Sequence, residues 1–346
     1  MAFSKMKTES LLLTRNGSAE KAFKLSEINL PELQKHQVLI EVEAFGLNYA
    51  DVMIRRGLHS EKPKLPCILG YEVVGTVIKA YDKANNNLIG ARVAAFTKLG
   101  AYSRHVIANV EMLCPIDNIN ANTALALVLQ GITAYYMSNY IAPIKTGETV
   151  LIHAAAGGVG TLLIQLAKYA GAKVIAKVSS EEKRQKCLEL GADFAINYKT
   201  HNYAQKVEKF IGKRNLDVSF NPIGGKTFRQ DLKLMGAGSK MILFSGAELM
   251  AGKFGIFSQL NFLLKMGVII PIFQTISAKS IIGINMLELA NTKPYVIKEC
   301  LTQMICLYQQ EIIKPINGGE FKFTELAKAN SLLESGKSSG KISVCW

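Results

Sequence analysis

The run His153-Ala-Ala-Ala-Gly-Gly-Val-Gly160 constrains this chain more than any other stretch, because of what flanks it. Before it, Val-Leu-Ile-His is a compact apolar strand. After it, Val159, Leu162, Leu163 and Leu166 recur at helical spacing. Strand and helix then alternate: KVIAKV, a helix from Glu181 to about Leu190, FAIN, a helix after Tyr203, LDVSF, a helix from about Thr227, and KMILF. Regular alternation of this kind predicts an α/β domain built on a doubly wound parallel sheet.

A glycine-rich turn between a strand and a helix lets backbone amides approach a pyrophosphate, whose charge the helix N-terminus favours. The pattern is AxxGxxG, with Ala154 in the first place. About twenty residues on, where a site for NAD offers an acid to the ribose, the strand ends in Ser179-Ser180, with Lys183 and Arg184 behind. A carboxylate repels a 2′-phosphate, whereas hydroxyls and cations attract it, so the spacing predicts NADPH. Glu181 and Glu182 stand in the same stretch and leave two readings open: an acid facing the ribose, or a solvated first turn of helix.

Short strands separated by glycines fill the first third (VLIEVEAF, VVGTVIKA, RVAAF, YSRHVIA) and suggest a small barrel. Another strand, SIIGI, precedes a long helical segment around Val296 to Gln309; the tail adds a helix near Glu325 and a strand GKISV. A chain of 346 residues has room for two domains. Its net charge of +14 attracts anions, but the basic residues are scattered and no nucleic-acid-binding motif accompanies them, so nucleic acid is not an expected partner. Six dispersed cysteines form no framework and suit a reducing compartment. No secretory leader and no apolar run of roughly 18 residues is visible, so the expected location is cytoplasmic.

Beside the Gly-rich turn stand GLNYADVMIRRG at Gly46, LPCILGYEVVG at Leu65, QGITAYY at Gln130 and NPIGG at Asn221. Together they resemble the quinone oxidoreductase branch of the medium-chain dehydrogenase/reductase superfamily. Within it, GAELMAGK and the apolar stretch that follows are similar to homologues of the synaptic vesicle amine transport protein. The resemblance implies a GroES-like catalytic domain over residues 1–130, completed by about 290–346, and a Rossmann NADPH-binding domain over 131–289. It also implies a homodimer. It puts Asn48 and Thr133 at the nicotinamide end, Gly157, Gly158 and Val159 at the pyrophosphate, and Ser179, Lys183 and Tyr198 at the adenosine 2′-phosphate. Asn221, Phe244 and Gly246 match strand-end positions lining the cofactor; Tyr198 and Phe244 also read as core aromatics, and Asn221 as a turn residue.

Zinc alcohol dehydrogenases of that superfamily carry Cys, His and Cys where this chain has Asn48, Tyr71 and Gln130. Catalytic zinc needs three protein ligands of His, Cys or carboxylate type, and Glu72 alone does not supply them, so no metal is expected. Reduction without a Lewis acid suits hydride addition to a quinone or an α,β-unsaturated carbonyl, a small-molecule substrate. Asn48 is the candidate donor to the substrate oxygen or the ribose, and Asp51 an anchor for its loop. His59 is a candidate proton donor, set against an ordinary loop histidine. His153 is expected to pack on the sheet.

The stretch Leu249 to Ile276 carries only Lys253 and Lys265 as charges. It is expected to wall the acceptor pocket, with Pro271 and a strand-like Val-Ile-Ile breaking any single helix. A second function class rests on the same stretch: a nucleotide-binding protein in contact with a membrane or lipid, with little catalysis. An enoyl-thioester reductase differs from the leading reading mainly in its pocket.

Overall fold

The computed structural model describes residues 6–59, 63–245 and 255–346. They divide into two units. One runs to Ile132 and resumes from Leu287 to Trp346, and the other spans Thr133–Met286.

Strands of the first unit are, in chain order, β1 (Lys7–Leu13), β2 (Phe23–Asn29), β3 (Gln37–Leu47), β4 (Cys67–Ile68), β5 (Glu72–Ala80), β6 (Arg92–Phe96), β7 (His105–Asn109) and β8 (Leu113–Pro115). Those of the second are β9 (Thr149–His153), β10 (Lys173–Val178), β11 (Phe194–Asn197), β12 (Leu216–Asn221), β13 (Met235–Leu243) and β14 (Ser280–Gly283). The chain then returns β15 (Asn317–Lys322) and β16 (Lys341–Cys345) to the first unit.

The first unit holds a small sheet in the order β2-β1-β4 and a larger one in the order β15-β16-β3-β5-β6-β8, with β7 also paired to β3. β3 is the hub. It runs antiparallel to β5, β7 and β16, and the last pairing sets Ser343 opposite Gly46 and Ile342 opposite Leu47. Residues nearly 300 apart in sequence are thereby brought to one place.

The second unit is a six-stranded sheet in the order β11-β10-β9-β12-β13-β14, parallel throughout. Strands covered on both faces read as continuous apolar runs, as Val150, Leu151 and Ile152 do. Alternation along each strand still sorts residues by face. Leu151, Ile175 and Ile196 meet Tyr203, Val207, Phe228 and Leu234 from the helices Tyr203–Ile211 and Gly225–Leu234. Two residues further along on that face, at the carboxyl ends of the strands, stand His153 and Lys177, both buried.

The apolar stretch after β13 forms two helices, Gly255–Met266 and Pro271–Ser277. The Val268-Ile269-Ile270 tripeptide is not a strand, as its composition suggests, but an irregular link. It ends where Pro271, which has no N–H to donate, opens the next helix at its first position. Residues 249–254 of this stretch, and the GAELMAGK motif from 246 to 253, lie outside the described residues. Among the described residues no helix is long and apolar enough to cross a membrane.

Candidate active site

The carboxyl edge of the parallel sheet carries most of the expected cofactor residues. β9 leads into Ala154, which holds a left-handed φ of 49°, and the helix Gly158–Tyr169 starts after Gly157 with no side chain capping it. First-turn amides of a helix have no intrahelical partner, so those at Gly158 and Val159 are available to an anion. A β-carbon at Gly160 would stand 2.6 Å from Ala154 O and Ala155 Cα. Only glycine lets the helix pack this tightly on its own turn.

One strand over, β10 ends in Ser179 and Ser180. Ser180 is occupied as a helix cap, its Oγ accepting from Lys183 N at 3.3 Å. Ser179 and Lys183 remain at the edge, both half-buried. Burial holds the Lys183 ammonium below its ordinary pKa, with Glu182 opposing the shift. The two readings of the neighbouring acids resolve: Glu181 pairs with Arg184, and Glu182 with Lys186 at 2.9 Å. Both acids are solvent-exposed and engaged within their own helix. Tyr198 follows β11 with its ring about half exposed, so it is not a core aromatic; its N–H donates to Val178 O at 3.0 Å.

Asn221 has two readings, a cofactor-lining residue and a turn residue, and its amide is engaged within the turn. Its Nδ2 donates to Asp231 Oδ2 at 2.8 Å and Thr227 Oγ1 at 3.0 Å, while its Oδ1 accepts from Ile223 N and Gly224 N at 2.9 and 3.0 Å. Every donor and acceptor of the amide is used internally, so the side chain shapes the NPIGG turn. Gly224 leaves room for Phe262, whose ring carbon would lie 2.8 Å from a β-carbon there, and Met266 Sδ accepts from Gly225 N at 3.0 Å. The Gly255–Met266 helix is thus seated on the turn at the carboxyl edge of the sheet. Phe244 follows β13 half-buried, Thr133 is buried at the start of this unit, and Gly246 lies outside the described residues.

His153 does more than pack. Lys177 Nζ donates to its Nδ1 at 3.2 Å, so the ring proton sits on Nε2, which donates to Asp231 Oδ2 at 2.7 Å. Asp231 also accepts from Ser219 Oγ at 2.7 Å and Tyr203 OH at 2.8 Å. Burial pushes the Asp231 carboxyl up, but His153 and these donors outweigh it and hold it below the ordinary value. Burial lowers the His153 pKa against the pull of Asp231, which keeps the imidazole neutral.

The first unit holds a second polar cluster. Glu72 and Lys341 form an ion pair with both side chains fully buried. Asn48 Nδ2 donates to Glu72 Oε1 at 2.8 Å, and Lys341 Nζ donates to Asn48 Oδ1 and Leu47 O, each at 3.2 Å. The second carboxylate oxygen accepts from Leu129 N at 2.7 Å. Asn48 is therefore turned inward, with one amide N–H left beyond this network. Asp51 anchors its loop by accepting from Asn48 N at 2.8 Å and Gly70 N at 3.1 Å; burial pushes its pKa up to about 7. Gln130 Oε1 is buried and has no hydrogen-bond partner among the described residues. His59 is half-buried in the loop after the helix Tyr49–Arg55.

These donors do not fit a zinc ion. Glu72 is the one carboxylate among the four positions, and an ammonium occupies it. Among the described residues no group of three His, Cys, Asp or Glu could hold a metal.

Residues 34–139 match the alcohol dehydrogenase GroES-like domain, and residues 158–285 match the zinc-binding dehydrogenase domain. The quinone oxidoreductase of Salmonella typhimurium is 35% identical over 225 residues, which is 64% of this chain and 68% of that protein. The chain belongs to the quinone oxidoreductase branch of the medium-chain dehydrogenase/reductase superfamily. The synaptic vesicle membrane protein VAT-1 homolog of Danio rerio is 25% identical over 335 residues, 96% of this chain and 69% of that protein. The crystal structure of Escherichia coli quinone oxidoreductase complexed with NADPH superposes with a TM-score of 0.82 at 26% identity, covering 98% of this chain and all of that one. As a family member, this quinone oxidoreductase relative is an α/β oxidoreductase with a GroES-like and a Rossmann domain.

Sequence reasoning passed over Lys177, Asp231 and Lys341. A signal existed for two of them: Lys177 in KVIAKV and Lys341 in GKISV are lone cations in otherwise apolar strands. Nothing in the local sequence marks Asp231.

Proposed function

We propose that this chain is an NADPH-dependent reductase that transfers hydride to a quinone or an α,β-unsaturated carbonyl and works without zinc. The observation that carries the reading is the carboxyl edge of the parallel sheet. There an uncapped helix start at Gly158 stands beside a strand that ends in Ser179, with both nearby acids already paired. Gly158 and Val159 bind the pyrophosphate through backbone amides, with Gly157, whose own N–H donates to Ala154 O at 2.9 Å, letting the phosphates approach the turn closely; Ser179, Lys183 and Tyr198 bind the 2′-phosphate. Escherichia coli quinone oxidoreductase, complexed with NADPH, supports the choice of cofactor. Bound NADPH supplies the hydride.

The chain's own residues orient the acceptor and stabilise charge on its oxygen. Asn48 offers its remaining amide N–H, and its direction is held by Glu72 and Lys341. Thr133 belongs to the nicotinamide end in this reading, and His59 is the proton donor. An assay of NADPH and NADH oxidation with an ortho-quinone and with an enone tests the function. Turnover of neither acceptor, or equal use of the two cofactors, counts against it.

A homodimer belongs to this proposal, because β14 ends the sheet with one edge open among the described residues. Light scattering in solution measures it. A second reading, contact with an anionic bilayer, is favoured by one observation. Leu263, Leu264, Val268, Ile272 and Ile276 are each more than half exposed on the two helices after β13 and their link. Flotation with acidic liposomes tests that reading.

A further inference from the structure

Lys177 carries a charge in a place where shape alone does not call for one. Its side chain is 6% exposed, on the face of β10 that builds the core, and an ammonium there gives up its hydration. A methionine of similar length would fill the same space. What replaces water around Nζ is specific. His153 Nδ1 accepts from it at 3.2 Å, the Tyr203 ring lies 4.0 Å away, and the Tyr198 ring 5.0 Å away. Through the neutral imidazole, the counter-charge of Asp231 is relayed to it. The ammonium thus sits between the buried network and the half-exposed Tyr198. Tyr198 is itself tied to the residue after Lys177 by the bond from its N–H to Val178 O.

We infer that Lys177 is a positioning and specificity-determining residue that holds the Tyr198 ring and favours a cofactor bearing an adenosine 2′-phosphate. The inference rests on the NADPH reading above. Two effects act together. A cation on a ring face fixes the ring, so the Tyr198 hydroxyl is presented in one direction. A charge in a poorly solvated site is also screened less than one at the surface, so it acts on a phosphate over a longer range than an exposed lysine does. Neither effect touches a cofactor that lacks the 2′-phosphate.

The test measures equilibrium binding of NADPH, NADH and adenosine 2′,5′-bisphosphate to the wild type, Lys177→Met and Lys177→Arg. Lys177→Met is expected to weaken NADPH and the bisphosphate about three- to tenfold, while NADH stays within about twofold; Lys177→Arg retains the preference. Equal weakening of NADPH and NADH, or no change in either, overturns the inference and leaves the cofactor reading standing. A wild type that binds NADH as well as NADPH overturns both. If Lys177→Met folds poorly because Asp231 has lost its relayed counter-charge, the double variant Lys177→Met/Asp231→Asn is measured in its place, with the same two outcomes.

Discussion

Gly46 and Glu72 are matched by exclusion: a β-carbon at position 46 would overlap Glu72 Oε1 and the end of Lys341, so the buried ion pair exists only where that residue is glycine. Removing one partner of such a pair strands the other charge in a dry site. Lys341→Met is expected to destabilise the protein by about 3 to 5 kcal/mol, read by denaturant unfolding. The double variant Lys341→Met/Glu72→Leu recovers much of that loss, because no charge is left unpaired. Gly46→Ala is expected to fall on the same scale. A single Lys341→Met variant as stable as wild type would show that the pair contributes nothing.

The same pair predicts the metal content. Purified protein should contain well under about 0.1 zinc per chain, and a chelator should leave NADPH oxidation unchanged, because tightly held zinc needs at least three protein ligands and this cluster offers only Glu72, already paired with Lys341. Elemental analysis giving about one zinc per chain contradicts this.

Cofactor discrimination follows from Lys183 and Tyr198. Lys183→Ala and Tyr198→Phe are each expected to raise KM for NADPH roughly ten- to a hundredfold, the weight of a hydrogen bond to a charged group, with little change for NADH. Equal effects on both cofactors would remove these residues from the 2′-phosphate site.

Acidification should weaken the Rossmann unit. His153 and Asp231 both have folded pKa values below their ordinary values of 6.5 and 3.8. Their stabilisation is therefore complete above about pH 6.5 and is lost as the pH falls, the loss setting in below 6.5 for His153 and below 3.8 for Asp231. Asp51 acts oppositely. Its pKa is raised to about 7, so its contribution is lost as the pH rises from 3.8 toward 7. The measurement is thus a difference: melting temperature from about pH 7 to pH 5 for wild type against His153→Gln, whose decline should be smaller. Parallel curves would mean that His153 does not titrate with unfolding.

Acceptor choice is expected to depend on the helices after β13, seated by Phe262 on Gly224. Replacing residues 255–276 by a Gly-rich link should change the ranking of quinones and enones while the Kd for NADPH moves less than about threefold, under 1 kcal/mol. An unchanged ranking with lost dimerisation or liposome binding would make this segment an interface.

The parallel sheet, its glycine-rich turn and the serine-ended strand were legible along the chain, because each is local. A strand or helix declares itself over a few residues through the period of its apolar positions, and an anion-binding turn through small residues at a helix start. The same locality made the helix break legible at Val268-Ile269-Ile270 and Pro271, while the composition of the tripeptide alone did not say whether it would pair as a strand or run as an irregular link. Asn221 left a ligand contact and a turn residue both open along the chain, because the Asp231 that claims its amide lies a helix away.

The sequence by itself determined which segments alternate, where a glycine-rich turn opens a helix and which zinc-ligand positions hold other residues. Only the tertiary structure decided which charges are buried and with whom. Lys341 meets Glu72 across 269 positions and His153 meets Asp231 across 78, and no local pattern records such a meeting. A charge is tolerated in a dry interior only once a distant segment has brought its partner, so the partner's identity is a property of the folded chain.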